Sequence, residues 1–430
     1  MLGSIVWLGV FLCLGHLIKR IFFQSAIMPA ALLGGFLALL IGPQVLGSFL
    51  PNSNLTLNSE HLAFWRDLPS ELIVIVFACI FLGKAMPSLR TVWHQSLPNL
   101  CFGYTLALGQ YLVGLTAGVV ILASVFDLSP LLGALIAIGF QGGHGTVAGL
   151  QDTFTQLDIS HAYEIGLGVA TLGLLGAIVM GTFLSNLHKP SAINQQTDKS
   201  SSEPEHAAPF SMHCGLVVFV CALAWLLLNA LVSLEQNTSI KIFSYMPLFP
   251  VAMLVGMSVQ FVCDKTGWNS VLNRADFNRI SNFALDLLII SALGSLDLSV
   301  LSNYWHVITI LGSAGLLYCG LIYYCFAAWF FTDNWRIRGL GELGQSMGTT
   351  AIGLLILRQT APNTSKIEAP FSYKQPLYEP IVGGGLVTAL ALPMLVNWGV
   401  AWFVAGITAC MAVMILTFAC YKKTSRDDRQ

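Results

Sequence analysis

The sequence predicts an all-α polytopic membrane protein: two inverted repeats of five transmembrane helices plus one re-entrant hairpin each, with an extra C-terminal helix. Three observations predict it. Apolar stretches of about 17–25 residues, the length a helix needs to cross a bilayer, recur along the whole chain. The basic residues gather on one side of those stretches, and one order of short motifs occurs twice. With 55% hydrophobic and 10% charged residues and a mean hydropathy of +0.73, the chain of 430 residues has too little charge for a soluble protein of its size. Its 10 cysteines form no CxxC pair and lie mostly inside apolar segments, so they read as packing residues rather than a metal or redox framework. The lipid bilayer is the expected surrounding, and no nucleic-acid partner is expected.

Taken in order, the spans fall at roughly 3–22, 27–49, 71–89, 99–126, 163–187, 213–233, 246–263, 280–297, 304–331, 377–396 and 399–420. Two further apolar segments, 128–150 and 337–357, are rich in glycine and contain amide, hydroxyl and ionisable side chains. The polar stretch 188–212, "HKPSAINQQTDKSSSEPEHAAPFSM", has the composition of a linker that cannot bury a core. It separates a first repeat, 1–187, from a second, 213–398; the additional helix 399–420 and a tail, 421–430, complete the chain.

Charge placement decides whether the two glycine-rich segments cross or turn back. If both are re-entrant and the N-terminus is outside, all but Arg66 and Lys241 of the 20 lysines and arginines face the cytoplasm, Lys84, Arg358, Lys366 and Lys374 among them. If both cross, the loops holding Lys189, Lys199, Lys265, Arg274, Arg279, Arg336 and Arg338 move outside and the bias disappears. Basic residues favour the cytoplasmic side, so both segments are expected to be hairpins, with the C-terminus cytoplasmic.

The repeat shows in four matched pairs. "MPAALLGGFLAL" from Met28 is echoed by "MPLFPVAMLVGM" from Met246, and "ACIFLGKAMPSL" around Gly83 by "ISALGSLDLSVL" around Gly294. "GGHGTVAGL" is echoed by "QSMGTTAIGL", pairing Gly145-Thr146 with Gly348-Thr349, and "YEIGLGVATLGLL" from Tyr163 by "YEPIVGGGLVTAL" from Tyr378. Five crossings are an odd number, so the second copy sits upside down, hairpin one dipping in from outside and hairpin two from the cytoplasm. Broken backbone at membrane depth is tolerated where it lines a cavity or is buried in protein, which makes the hairpins the expected solute and ion site of a secondary transporter.

"GGHGT" at 142–146, the "MP…GG" helix from Met28 to Gly35, "GLGELGQSMGTTAIGLL" at 339–355 and "YEPIVGGGLVTALAL" resemble the glutamate:sodium symporter family, itself similar in fold to bacterial citrate and 2-hydroxycarboxylate transporters. The resemblance runs over about residues 3–396. It implies symport of glutamate or a related small carboxylate with sodium as the coupling ion, a scaffold part beside a mobile part carrying both hairpins, a homodimer, and the cell inner membrane. The chain departs from the family pattern at Ala30, at Gln141, at Gly348-Thr349-Thr350-Ala351 and at Thr388.

The residues expected to meet the solute are Gln141, Gly142, Gly143, His144, Gly145 and Thr146 in the first hairpin and Gln345, Ser346, Gly348, Thr349 and Thr350 in the second. His144 can bind a carboxylate, shuttle a proton or cap the hairpin. The oxygens of Gln345, Ser346, Thr349 and Thr350 suit a hard cation, with helix–helix hydrogen bonding as the alternative. Glu342 and Asp286 join them as sodium candidates because a carboxylate within an apolar run must face a partner or a cavity. Glu164 and Glu379 read as acidic caps of helices that follow the hairpins, Arg358 as a boundary residue, and the glycines of 166–176 and 383–385 as helix-packing positions. No strand precedes those glycines and no Ser/His/Asp or HExxH arrangement is present, so neither nucleotide binding nor enzymatic activity is expected. Proton coupling, a channel and a membrane sensor are the competing functions.

Overall fold

The computed structural model describes residues 2–22, 29–49, 57–187, 208–236, 242–360 and 365–427. Most of the linker 188–212, together with Met28, Lys189, Lys199, Lys241 and the end of the tail, lies outside the described residues. Helices and turns make up the described chain, which contains no strand. Among the described residues, eight helices are long and apolar enough to cross a membrane: α1 (Leu2–Phe22), α2 (Ala30–Ile41, prolonged to Phe49), α4 (Leu89–Phe126), α7 (Ala162–Leu187), α8 (Phe210–Glu235), α9 (Leu248–Thr266), α11 (Trp305–Phe330) and α17 (Val400–Asp427). Two more, α3 (Ser59–Cys79) and α10 (Arg274–Gly294), have spanning length but carry charges such as Arg66, Asp67, Asp276 and Asp286 that lower their hydropathy. The fold is thus a polytopic all-α membrane protein.

The helices pack in two groups. In the first, α3 and α10 lie together at the centre, with α1, α2, α8 and α9 around them. Small residues set the spacing: a Cβ on Gly34 would stand 2.6 Å from the Phe11 carbonyl oxygen, and one on Gly35 2.8 Å from Leu293. The Arg274 guanidinium closes the end of α3, Nη1 donating to the carbonyls of Cys79 at 2.6 Å and Leu82 at 2.7 Å, which a helix C-terminus otherwise leaves unpaired.

The second group holds α4, α7, α11 and α17 with six shorter elements: α5 (Pro130–Phe140), α6 (Gly143–Gly149), α12 (Trp335–Gly348), α13 (Thr350–Thr360), α14 (Ser365–Tyr373) and α15 (Gln375–Tyr378). A last helix, α16 (Leu386–Trp398), packs onto α17, and α17 lies along α4, Phe403 edge-on to Tyr111 at 5.6 Å. Here α7 is the ruler. Leu135 faces Gly166 and Phe140 faces Gly173, so α5 runs with α7; Val147 returns to Gly166, so α6 runs back beside it. Gly348 packs on Leu174 and Ala177, Ile356 on Gly181, and Thr360 Oγ1 meets Ser185 Oγ at 3.0 Å. One folded-back pair therefore lies on the N-terminal half of α7 and the other on its C-terminal half, with their tips meeting near its middle.

Three expected spans are corrected. The span expected at 71–89 is the helix Ser59–Cys79, and that expected at 280–297 begins at Arg274. The span expected at 377–396 is not continuous: helix begins at Ser365, stops at Tyr378, and resumes only at Leu386. The three glycines 383–385 belong to this break rather than to a packing face, Gly384 holding a left-handed φ of 87°.

Candidate solute and ion site

Each tip is made by a residue with positive φ. Gly143 turns the first at φ 72°, and Thr349 turns the second at φ 84° and ψ 161°. A Cβ on Gly143 would lie 3.0 Å from Thr349 Cγ2, so the backbone of the first tip packs close against the side chain of the second. A third piece of irregular backbone joins them: Gly384, in the break, lies against the Thr146 hydroxyl, where a Cβ would stand 2.9 Å from Oγ1. Thr146 donates that hydroxyl to the Gly142 carbonyl at 2.9 Å, and His144 Nε2 pairs with Thr171 Oγ1 of α7 at 2.9 Å. Gln141 is 4% exposed and its Oε1 has no hydrogen-bond partner among the described residues, an acceptor left open at the tip.

Around the second tip the polar groups are connected. Gln345 Nε2 donates to Gln375 Oε1 at 3.0 Å and Glu379 Oε1 at 3.1 Å, and lies 2.6 Å from Thr350 Oγ1. The Thr350 hydroxyl also donates to Glu379 Oε1. Glu379 is therefore no helix-start cap, as the sequence suggests, but a buried carboxylate at the beginning of the break. Glu164, its counterpart in the matched sequence motifs, does sit in the first turn of a helix, beside a cavity of about 350 Å³ that includes Arg66, Gln151, Asp158 and His161.

Other expected site residues are placed elsewhere. Glu342 forms a fully buried ion pair with Lys374 and accepts from Asn99 Nδ2 at 2.9 Å, while Arg338 donates to Asn99 Oδ1 at 2.6 Å. Lys374, expected in a cytoplasmic loop, is 0% exposed, its ammonium 3.9 Å from the Tyr378 ring centroid. Asp286 belongs to the first helix group, near His16 and Lys19 of α1. Ser346 turns away from the tips, donating to the Leu343 carbonyl at 2.9 Å, and Gly145 and Gly348 face helix neighbours rather than the meeting point. Arg358 is exposed and pairs with Glu368 at 3.2 Å.

Sequence reasoning missed Gln110, Asn99, Thr171, Gln375 and Lys374. Gln110 lies within an apolar span, the signal that marks functional polar groups in membranes, and donates to the Ser346 carbonyl at 2.7 Å. Thr349 offers a test of the tip geometry. A β-branched residue at that φ is strained by about 1–3 kcal/mol, so Thr349→Gly, after the extra unfolded-state entropy of glycine, should stabilise the purified protein by about 1 kcal/mol net. An unchanged or lower melting temperature would show that the strain is absent.

Helices spanning a bilayer around two opposed tips of irregular backbone define a membrane transporter. The sodium/glutamate symporter family model matches residues 1–331, and the chain belongs to that family. Its function is the family's, secondary active transport by sodium/glutamate symport, in a family of transporters rather than enzymes. The match contains the first hairpin and ends just before the second. No curated protein matches the chain.

Proposed function

We propose that this chain takes up glutamate or a related small carboxylate with sodium as the coupling ion, binding both where the two hairpin tips and the break at 379–385 meet. The meeting of Gly143 with Thr349 carries this reading, because it puts irregular backbone from both halves of the chain at one point along α7. The solute site comprises Gln141, Gly142, Gly143, His144 and Thr146 with Gln345, Thr349 and Thr350. The N-terminus of α13 opens at the tip, and its first N–H groups suit a carboxylate. The open acceptor Gln141 Oε1 suits an ammonium.

The rest of the architecture follows as part of the same proposal. Residues 1–187 and 213–398 are inverted repeats, a relation supported by the packing of the motif-twin helices α2 and α9 on the opposite repeat's α10 and α3. The N-terminus lies outside and the C-terminus in the cytoplasm of a cell inner membrane. The group carrying both hairpins moves against the other, which a homodimer holds fixed. Reconstituted protein should accumulate labelled glutamate under an inward sodium gradient and not under potassium; uptake driven equally well by a pH gradient alone would replace sodium with the proton as coupling ion.

A further inference from the structure

We propose that Glu379 is the anionic ligand of a monovalent-cation site completed by Gln345, Thr350 and Gln375, and that sodium binds there rather than at Glu342 or Asp286. The proposal rests on the reading that sodium is the coupling ion. Glu379 is a buried carboxylate, 7% exposed, and among the described residues no cationic side chain forms an ion pair with it. Its cationic electrostatic neighbours are Lys374, which is committed to Glu342, and Lys84, which forms no ion pair with it. A lone carboxylate at this depth calls for a positive partner.

The geometry around it already has the form of a cation site. Oxygens of Thr350, Gln375 and Glu379 surround the Gln345 amide nitrogen at 2.6, 3.0 and 3.1 Å. An amide NH₂ has only two hydrogens, so three acceptors converge on a donor that can satisfy two. A sodium ion at the amide's place, with the Gln345 side chain turned to present Oε1, would meet four side-chain oxygens, one of them charged. Oxygen-only surroundings of this kind are what hard cations select. The ligands come from both arms of the second hairpin and from the helix before the break, so the ion would hold these three pieces together. Thr350 follows Thr349, the residue touching Gly143, which ties ion occupancy to closure of the solute site.

The test is a sodium titration of thermal stability in detergent, without solute, at constant ionic strength with potassium as replacement. Wild type should be stabilised by sodium in a saturable way. Glu379→Gln should melt no lower than wild type in potassium, and its apparent sodium affinity should fall by at least about tenfold, the scale found when even an outer partner of a metal ligand is removed. Thr350→Val, which keeps the shape and removes one oxygen, should weaken sodium in the same direction, while Glu164→Gln should leave the titration unchanged. A sodium response retained in both Glu379→Gln and Thr350→Val would overturn the site. Absence of any sodium response in wild type would instead overturn sodium coupling itself, so the two failures are distinguishable.

Discussion

Gly143→Val is expected to insert and fold but to lose most transport. The residue sits at φ 72°, where a β-branched side chain is strained, and its Cβ would already stand 3.0 Å from Thr349 Cγ2 before either γ-methyl is added. The cost of about 1–3 kcal/mol falls on the arrangement in which the tips meet, because no apolar span is touched. If that arrangement binds the solute, the penalty amounts to roughly a 5–150-fold loss of solute occupancy. Gly348→Val is the instructive contrast. Its Cβ meets Ala177, Leu174 and Ile352 at 3.1–3.4 Å, so it should loosen the packing of the second hairpin on α7 and lower the melting temperature as well as uptake. Gly215→Val, with nothing within 4 Å, should change neither. The checks are sodium-driven glutamate uptake in proteoliposomes and thermal melts of the same preparations. Normal uptake by Gly143→Val would remove the tips from the solute site.

The hairpin tips were legible because two rules of different origin agreed on them. Glycine with amide and hydroxyl groups in an apolar run marks broken backbone, and the distribution of lysine and arginine favoured segments that fold back. The break at 379–385 was not legible, because consecutive glycines in a membrane segment read equally well as a close-packing face. Its consequences spread. A span placed at 377–396 made Glu379 look like the cap of a helix, whereas helix begins at Ser365 and ends at Tyr378. Lys374 and Gln375 fall in the loop before that span in the sequence, yet in the fold one finds Glu342 and the other Gln345. The same effect hid the start of α3, whose Glu60, Arg66 and Asp67 lower its hydropathy without interrupting the helix. Pairing between residues far apart in the chain is what a window of neighbours cannot register. Glu342 and Lys374 stand 32 positions apart, and Glu342 and Asn99 stand 243 apart.

That ion pair gives the largest expected effect on stability. Glu342 and Lys374 are both fully buried, with Asn99 on the carboxylate and the Tyr378 ring against the ammonium. Removing one partner of such a pair leaves a buried charge without compensation, which costs about 3–5 kcal/mol, whereas replacing both with neutral groups of similar size is often neutral or stabilising. Glu342→Gln and Lys374→Met should therefore each lower the melting temperature sharply, and the double variant should recover most of the loss. The two singles should not fail alike. Glu342→Gln releases an ammonium that is an electrostatic neighbour of Glu379, so a tethered cation would compete with sodium for that carboxylate. Lys374→Met releases a carboxylate and introduces no such competitor. Sodium titrations of all three variants check the difference: Glu342→Gln should need more sodium than the double variant for half-maximal stabilisation. Singles as stable as wild type would show that the pair does not hold the second hairpin, and equal sodium requirements in Glu342→Gln and the double variant would show that Lys374 does not reach Glu379.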